Sequence, residues 1–341
     1  MMAFYIGRFK LMRGLALSPM AGITDRPFRD ICRKMGADWV VGEMISGNPT
    51  LRHNHKTLHR IPQAGEKSPI VVQLVGNSPQ QLAQAAQDYE ELGADVIDLN
   101  FGCPAKKVCQ SEAGSALLKD PILVEKILEA VVCSITIPVT IKTRLGWDDD
   151  NLNILDIAQR AQGAGVQAIA IHGRSRTQKF QGVASYELIK QVKERLKIPV
   201  WANGDITSPD KALRVLEETG VDGLMLGRAA QGAPWIFQEI KFFLERGRKV
   251  ILPFDLISRT IREHLEDTYQ FYCQGYAYRI ARKHIGWYLK NLTNDPTVRA
   301  QLLSLEGEAP QFEAMSRFLE KAEVEDHYYS LYSTTDQIQV N

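Results

Sequence analysis

Short runs of apolar, mostly β-branched residues recur along the first two-thirds of the chain, separated by longer stretches with helical periodicity. A parallel strand that is covered on both faces has this continuous apolar character. We therefore predict a strand at each of eight runs: LALSPM (15–20), WVVGEM (39–44), IVVQLV (70–75), VIDLN (96–100), PVTIKTR (138–144), AIAIHGR (168–174), PVWANGD (199–205) and GLMLGR (223–228).

The stretches between the runs carry helix start and stop signals. Residues 78–94 and 208–221 each begin with Ser-Pro, a capping residue followed by a first-turn proline, and each ends near a glycine. Eight strand–helix units within about 230 residues fit an α/β fold of the (β/α)8 TIM barrel type. A doubly wound open sheet is the competitor, but the first run continues into SPMAGITDR, which lacks the GxGxxG pattern expected there.

The strand pattern stops after about residue 248, and the remaining chain has helical periodicity. Its apolar residues recur at helical spacing in FDLISRTIREHLEDTYQFY, YRIARKHIGWYLKNL and PQFEAMSRFLEKAEVE. We predict a catalytic barrel over residues 1–248, an all-helical domain over 249–326 and a polar tail over 327–341.

Composition is that of an ordinary globular protein, with 45% apolar and 24% charged residues among 341. The five cysteines form no CxxC pair, which disfavours disulfides and a structural zinc site. The apolar residues near the N-terminus are broken by Arg8, Lys10 and Arg13, and no run reaches the roughly 18 apolar residues of a membrane span. We expect a cytoplasmic, monomeric protein without a metal ion or a membrane partner.

Polar side chains stand at the ends of seven predicted strands, and chemistry in this fold lies at the C-terminal ends of the strands. One such residue means little, but packing alone does not explain seven together. These residues are Glu43, Gln73, Asn100 with Cys103, Lys142 with Arg144, His172 with Arg174, Asn203–Gly204–Asp205 and Gly227–Arg228, and the first run ends at Pro19–Met20–Ala21.

Two of these groups favour an anionic cofactor. The loops after strands seven and eight form the usual phosphate site of the fold, and Gly204, Gly227 and Arg228 suit that role, although both glycines would also serve plain tight turns. Lys142 lies inside a strand, where a cation needs an anionic partner. The polar edge of a reduced flavin and an ion pair with Glu43 are equally good partners for it.

Seven motifs in register resemble the tRNA-dihydrouridine synthases, and most closely their bacterial B-type branch. The similarity covers residues 5–325 in order. The motifs are PMAGITDRPFR (19–29), LNFGCPAKKV (99–108), IKTRLGW (141–147), IHGRSR (171–176), ANGDI (202–206), GRAAQGAPWIF (227–237) and YRIARKHIGWYL (278–289).

This resemblance implies an FMN cofactor and NADPH, or NADH, as the reductant. It implies that Cys103 is the proton donor. FMN would contact Pro19, Met20, Ala21, Gln73, Lys142, Asn203, Gly204, Asp205, Gly227 and Arg228. Asn100, Arg144, His172 and Arg174 would orient the uracil and its phosphate, and we count His172 with the cofactor-binding residues as well.

The implied reaction gives the position of Cys103 a chemical reason. Reduced flavin delivers hydride to carbon 6 of a tRNA uridine, which the B-type resemblance places in the D-loop, and carbon 5 then takes a proton from the opposite face. A thiol with an ordinary pKa of about 8.5 is protonated at neutral pH and can donate that proton. Cys109 is a second thiol six residues later, and we expect it only to fill a loop position.

Charge in the C-terminal third is uneven although the net charge is only +1. No acidic residue lies between Thr268 and Asn294, whereas residues 303–326 hold seven. Such a run is usually a solvated face, but next to this resemblance we favour phosphate-backbone binding to tRNA. The basic stripe, at helical spacing, consists of Arg279, Arg282, Lys283 and Lys290.

Uracil must be unstacked to reach a flavin, so aromatic residues near the barrel mouth are candidate stacking partners. Trp147, Phe180 and Tyr186 are such candidates, although aromatic residues after strands more often belong to the core. Two other functions stay open on the residues alone. One is an FMN barrel acting on a free pyrimidine, like a dihydroorotate dehydrogenase, and the other is a non-catalytic RNA-binding protein.

Overall fold

The computed structural model describes residues 3–12, 14–51, 55–63 and 65–324. The chain divides into two compact units, of which the first ends at Gly227 and the second begins at Arg228. The second unit therefore includes the helix Ile236–Arg246, which the sequence assigned to the barrel part. The predicted tail, 327–341, lies outside the described residues, as do residues 325 and 326 of the predicted helical domain.

The first unit contains an antiparallel hairpin and a sheet of nine parallel strands. The order in the large sheet is β4-β3-β11-β10-β9-β8-β7-β6-β5. The strands are β1 (Phe4–Ile6), β2 (Phe9–Leu11), β3 (Leu15–Leu17), β4 (Trp39–Val40), β5 (Ile45–Ser46), β6 (Val71–Val75), β7 (Val96–Phe101), β8 (Val139–Arg144), β9 (Ala168–His172), β10 (Val200–Asn203) and β11 (Gly223–Leu226).

The two ends of this sheet meet, so the strands enclose a barrel. β4 pairs with β3 and β5 pairs with β6, while Val41 forms a parallel bridge to Val71 and the Gly42 N–H donates to the Val71 carbonyl at 3.1 Å. The second predicted strand, 39–44, was therefore wrong as one continuous element. It breaks because Glu43 leaves the ladder to contact Gly22 and Arg60. The predicted (β/α)8 class is confirmed.

Helices connect the strands, and their ends follow the predicted capping rules. Ser78 and Ser208 each accept a hydrogen bond from the backbone N–H three residues later, and each precedes a first-turn proline. The helices of this unit are α1 (Arg26–Lys34), α2 (His55–Leu58), α3 (Pro79–Glu91), α4 (Lys106–Gln110), α5 (Pro121–Ser134), α6 (Ile154–Gly163), α7 (Glu187–Arg195) and α8 (Pro209–Thr219), with short 3-10 turns at Pro49–Leu51 and Gly114–Lys119.

Large apolar side chains fill the end of the barrel where the strands begin. Trp201 packs against Trp39 with 5.9 Å between ring centroids, and its indole N–H donates to the Gly14 carbonyl at 2.8 Å. Phe4 of the hairpin packs edge-on against Trp201 at 5.6 Å. These residues belong to one buried cluster with Ile6 and Leu11, so the hairpin closes this end and leaves the other end for a ligand.

The second unit is helical throughout its described residues, apart from loops. A stacked pair, Trp235 and Tyr288, with ring centroids 6.1 Å apart, lies in its core. Its elements are the 3-10 turn Arg228–Ala230 and the helices α9 (Ile236–Arg246), α10 (Phe254–Phe271), α11 (Ala277–Leu292), α12 (Pro296–Ser304) and α13 (Glu308–Val324). Among the described residues, no helix has both the length and the apolar content to cross a membrane.

The tight packing under Trp201 yields a stability prediction. A Cβ at Gly223 would lie 2.3 Å from the Gly14 carbonyl oxygen and 2.4 Å from the Trp201 indole nitrogen. Gly223→Ala should therefore lower the free energy of unfolding by about 1–3 kcal/mol, the usual cost of overpacking. Gly163→Ala is the control, since a Cβ at that helical position meets nothing within 4 Å. Urea unfolding measures both variants, and equal midpoints for the two would contradict the packing described.

Candidate active site

The register of neighbouring strands places polar side chains at matching heights near the open end of the barrel. Gln73 of β6 lies beside Asp98 of β7, and Asp98 lies beside Thr140 of β8. Two residues further along β7, Asn100 lies beside Lys142. Inward-facing positions alternate along a strand, so these side chains share one interior.

A continuous chain of hydrogen bonds links four of these side chains, on strands β6, β7 and β8, to the backbone of Cys103. The Asp98 carboxylate accepts from Thr140 Oγ1 and from Gln73 Nε2, both at 2.7 Å. Asn100 Nδ2 donates to Gln73 Oε1 at 2.9 Å, and Asn100 Oδ1 accepts from the Cys103 N–H at 2.9 Å. Burial raises the pKa of Asp98 to about 6, although the hydrogen bonds from Gln73 and Thr140 and the charge of Lys142 act to lower it.

Lys142 is a half-buried cation whose hydrogen-bond partner is neutral. Its Nζ donates to Asn203 Oδ1 at 3.0 Å, and Asn203 Nδ2 donates to the Met225 carbonyl at 2.7 Å. Within the described part of the chain Lys142 has no ion pair, and Glu43 pairs with Arg60 at 3.1 Å instead. The alternative of a Lys142–Glu43 ion pair was therefore wrong.

The electrostatics of Lys142 favour an anionic ligand. Burial, followed by the nearby charge of Arg144, lowers the pKa of Lys142 to about 7, and Asp98 acts in the opposite direction. An anion in contact with Nζ would restore the charged form, because a nearby negative charge stabilises the ammonium. The site thus offers a half-buried donor to an anionic ligand.

The loop that carries Cys103 is held from both sides. Its N–H donates to Asn100, and its carbonyl accepts from Ser115 N at 3.2 Å and Ser115 Oγ at 2.8 Å. Cys109 Sγ donates weakly to the same carbonyl at 3.6 Å, so the second thiol supports the loop. The side chain of Cys103 is half-buried, and burial raises the pKa of its thiol.

Arg144 lies beside the Cys103 loop and leaves one amino group for a ligand. Its Nε donates to the Gly102 carbonyl at 2.7 Å, and its Nη1 donates to the carbonyls of Ser175 and Lys179 at 3.0 Å. Nη2 has no hydrogen-bond partner among the described residues. Burial lowers the pKa of Arg144 to about 10, so its side chain stays charged at neutral pH.

Arg174 is fully engaged by the protein. Its Nη1 and Nη2 donate to the two carboxylate oxygens of Asp205 at 3.0 and 2.6 Å. The remaining N–H groups face Gln181, Gly182 and His172, so all five have protein partners. The predicted contact of Arg174 with the substrate stays a prediction, while the observed contacts fix the position of Asp205.

The turn after β10 has the backbone conformation of a close-approach site. Gly204 has φ +118°, and a Cβ there would lie 2.8 Å from Ala184 Cβ and 2.9 Å from His172 Cδ2. Asp205 follows with φ +49°, and the buried Tyr186 hydroxyl donates to the Gly204 carbonyl. At position 204 only glycine fits without displacing a neighbour.

Of the remaining predicted cofactor residues, Pro19, Met20, Ala21 and Gly227 belong to the first unit, and Arg228 is the first residue of the second. Pro19 and Met20 are half-buried and Ala21 is exposed in the loop after β3, where the Met20 N–H donates to Thr24 Oγ1 at 3.0 Å. Gly227 closes the unit, and a Cβ there would meet only Met20 Sδ at 3.6 Å and the Ser18 side chain at 3.7 Å.

The three candidate stacking residues differ in how accessible their rings are. The Trp147 ring contacts two cations, since Lys119 Nζ lies 3.7 Å and Arg176 Cζ 4.3 Å from its centroid. Tyr186 is buried. Phe180 is 55% exposed, and its ring centroid lies 6.2 Å from that of His172. Of the three, Phe180 therefore offers an accessible face next to predicted site residues.

The basic stripe lies on helix α11 of the second unit. Arg279 and Lys290 are exposed, while Arg282 and Lys283 are half-buried. Arg282 also donates to the Leu305 carbonyl at 3.0 Å and lies over the Tyr278 ring at 5.3 Å. The opposite face of α11 is buried, and its residues include Ala281, Ile285, Tyr288 and Leu289.

Asp98 and Thr140 were not predicted as site residues. The available signal was a charged residue inside an otherwise apolar strand, which is costly unless it is hydrogen bonded. Its partners could not be read from the sequence, because they lie on two other strands.

Comparison with known proteins places this arrangement among enzymes that modify tRNA. The family model described as dihydrouridine synthase (Dus) matches residues 16–323. The chain is 48% identical to tRNA-dihydrouridine synthase B of Pseudomonas aeruginosa over 314 residues, which cover 92% of this chain and 95% of that relative. It is also 48% identical to tRNA-dihydrouridine synthase B of Vibrio cholerae over 316 residues, or 92% and 98% of the two chains.

Solved structures with low sequence identity share the fold alone. Histamine dehydrogenase from Rhizobium sp. 4-9 superposes with a TM-score of 0.54 at 12% identity, covering 95% of this chain and 64% of that one. A 2-naphthoyl-CoA reductase complex gives a TM-score of 0.55 at 12% identity, with 75% and 53% covered.

The raised thiol pKa of Cys103 can be measured without a cofactor or a substrate. Because burial disfavours the thiolate, alkylation of Cys103 by iodoacetamide should reach its half-maximal rate at a higher pH in the folded protein than in the urea-unfolded protein. Trypsin cleaves after Lys106 and so separates the Cys103 peptide from that of Cys109, which allows mass spectrometry to follow each thiol. A midpoint in the folded protein at or below that of the unfolded protein would contradict the burial described.

Proposed function

The chain belongs to the dihydrouridine synthase family, and we propose on that premise that it reduces uridines of tRNA to 5,6-dihydrouridine with a bound flavin. It is an oxidoreductase of the tRNA-dihydrouridine synthase B type. The observation that carries this conclusion is the family match over residues 16–323, which includes both Cys103 and the basic helix α11. The finer assignments, FMN as the flavin, NADPH or NADH as the reductant and the D-loop as the target, are part of the proposal.

The residues present fit a flavin. A half-buried lysine without an ion pair among the described residues, and the glycine turn after β10, suit a molecule with an anionic ring edge and a phosphate. Lys142 and Gln73 would hold the polar edge, and His172 would contact the ring. The loop Pro19–Ala21 would cover the ring, and the phosphate would lie against the residues Asn203, Gly204, Asp205, Gly227 and Arg228.

Catalysis needs a hydride donor and a proton donor on opposite faces of the uracil. When bound, the flavin supplies a hydride to carbon 6 of the base. Cys103 supplies the proton to carbon 5, and its raised thiol pKa keeps that proton in place until carbon 5 becomes basic. Asn100 and Arg144, the latter through its remaining amino group, would orient the base. The Arg174–Asp205 pair would act by holding the turn after β10.

The second unit would bind the tRNA backbone through the basic stripe of α11. Phosphate contacts from lysine and arginine supply affinity without reading sequence, and they suit an enzyme that must hold a folded RNA while one base is extruded. A dehydrogenase of a free pyrimidine would need no such surface. A non-catalytic RNA-binding protein is equally disfavoured, since the relatives that cover more than nine-tenths of the chain are named as synthases.

Removing the thiol tests the proton-transfer role. Cys103→Ala should retain flavin and still be reduced by NADPH, because the thiol acts after these steps. Dihydrouridine formation in tRNA should fall by about 10²–10⁴-fold, the usual contribution of a general acid. Cys133→Ala is the matched control, since Cys133 is exposed on α5. Parental turnover by the Cys103 variant, measured as dihydrouridine per tRNA, would assign the proton to another group.

Charge reversal on α11 tests the tRNA surface. Arg279→Glu together with Lys290→Glu changes the two exposed members of the stripe, so the packing of the helix should survive. Binding to tRNA should weaken at low salt, and the slope of log affinity against log salt should become shallower by about one unit per lost phosphate contact. The control reverses Lys241 and Arg246, two exposed cations of α9, by the same total charge. Equal slopes in the two variants would make the stripe a solvated face.

A further inference from the structure

Asp98 is an ionisable residue in the barrel interior that the proposed reaction does not use. Its side chain is 4% exposed, and it stands in the middle of β7, whose six residues are all buried. Each carboxylate oxygen has one neutral donor, Gln73 Nε2 on one side and Thr140 Oγ1 on the other. A charge in such a position is costly, so an ionisable residue there points to a role beyond packing.

The hydrogen bonds from Asp98 have a defined direction. An ionised carboxylate can only accept, so Gln73 must present its amide nitrogen to Asp98 and its oxygen to the other side. Asn100 meets that oxygen with its own amide nitrogen, at 2.9 Å. The Asn100 oxygen is thereby left to accept from the backbone N–H groups of Gly102, at 3.0 Å, and Cys103, at 2.9 Å.

We propose that Asp98 is a positioning residue whose negative charge sets the direction of the relay Asp98–Gln73–Asn100 and so holds the Cys103 loop in place. The proposal rests on the proposed function only in taking Cys103 as the proton donor. A neutral group at position 98 can donate to Gln73 and turn both amides around. The Asn100 amide nitrogen would then face two backbone N–H groups, and the loop would lose both hydrogen bonds.

The first experiment compares Cys103 alkylation in three flavin-free proteins. Asp98→Asn keeps the shape of the side chain and removes the constraint on direction, so Cys103 should react about tenfold faster as its loop opens more often. Thr140→Val removes the other hydrogen bond of Asp98 and leaves the relay intact, so Cys103 should react at the parental rate. Equal rates in Asp98→Asn and the parent would overturn the proposal.

A second comparison separates the effect of hydrogen-bond direction from a general loss of packing around position 98. The double variant Asp98→Asn with Gln73→Glu moves the carboxylate from β7 to β6. The carboxylate at position 73 can then accept from the new amide at position 98 and from the Asn100 amide nitrogen. Asn100 thereby regains its original orientation. Cys103 should then return to within about twofold of the parental rate, which no loss of packing at position 98 would allow. A double variant as reactive as Asp98→Asn alone would overturn the proposal.

Two further measurements complete the design. If Asp98→Asn does not fold, Gln73→Leu interrupts the relay and keeps Asp98, and it should raise Cys103 reactivity in the same way; a parental rate would overturn the proposal. The alkylation assay needs neither tRNA nor flavin, so it tests the relay independently of the proposed function. That function is tested by dihydrouridine formation in Cys103→Ala.

Discussion

Closure of the parallel sheet is the constraint on which the site depends. Once Val41 bridges to Val71, every inward-facing side chain shares a narrow interior with its counterparts on neighbouring strands. The hairpin and the pair of tryptophans take up the end where the strands begin. Polar residues can then lie only at the opposite end, where Lys142, Asn203 and the relay from Asp98 meet. The closed sheet brings these groups together, and their charges determine which ligands the site can bind.

At this end the protein engages Arg174 fully and Arg144 in part, whereas Lys142 has no anionic partner among the described residues. Arg174 is neutralised by Asp205, and Arg144 is tied to three backbone carbonyls. Among the described residues Lys142 donates to a neutral amide, while burial and then the charge of Arg144 lower its pKa, and an anion would supply the missing counter-charge. A carboxylate in contact with Lys142 would already supply the counter-charge, and the site would then bind an anionic ligand less well.

Much of this fold could be predicted because its signals are local. The apolar runs mark the strands, and Ser78 and Ser208 cap the helices at the expected places. The split of the second strand was missed because Glu43 is drawn out of the ladder by Gly22 and Arg60, which are distant in sequence. The site was predicted as a set of residues but not as a set of pairs. That Lys142 contacts Asn203, and that Arg174 binds Asp205, depends on which strands become neighbours.

The closure between the first and last strands also has a consequence in time. β3 pairs with β4, which follows it closely in the chain, but its other neighbour is β11, and the Gly14 carbonyl accepts from Trp201, so one side of the earliest barrel strand has its partners about two hundred residues later. At a synthesis rate of roughly 5–20 residues per second, this strand waits for about ten to forty seconds before those partners leave the ribosome. During that interval Leu15, Ala16 and Leu17, which are fully buried in the finished barrel, can pair with β4 but lack β11 on their other side. The barrel can therefore close on this side only at a late stage of synthesis, although β3 is among the first segments made.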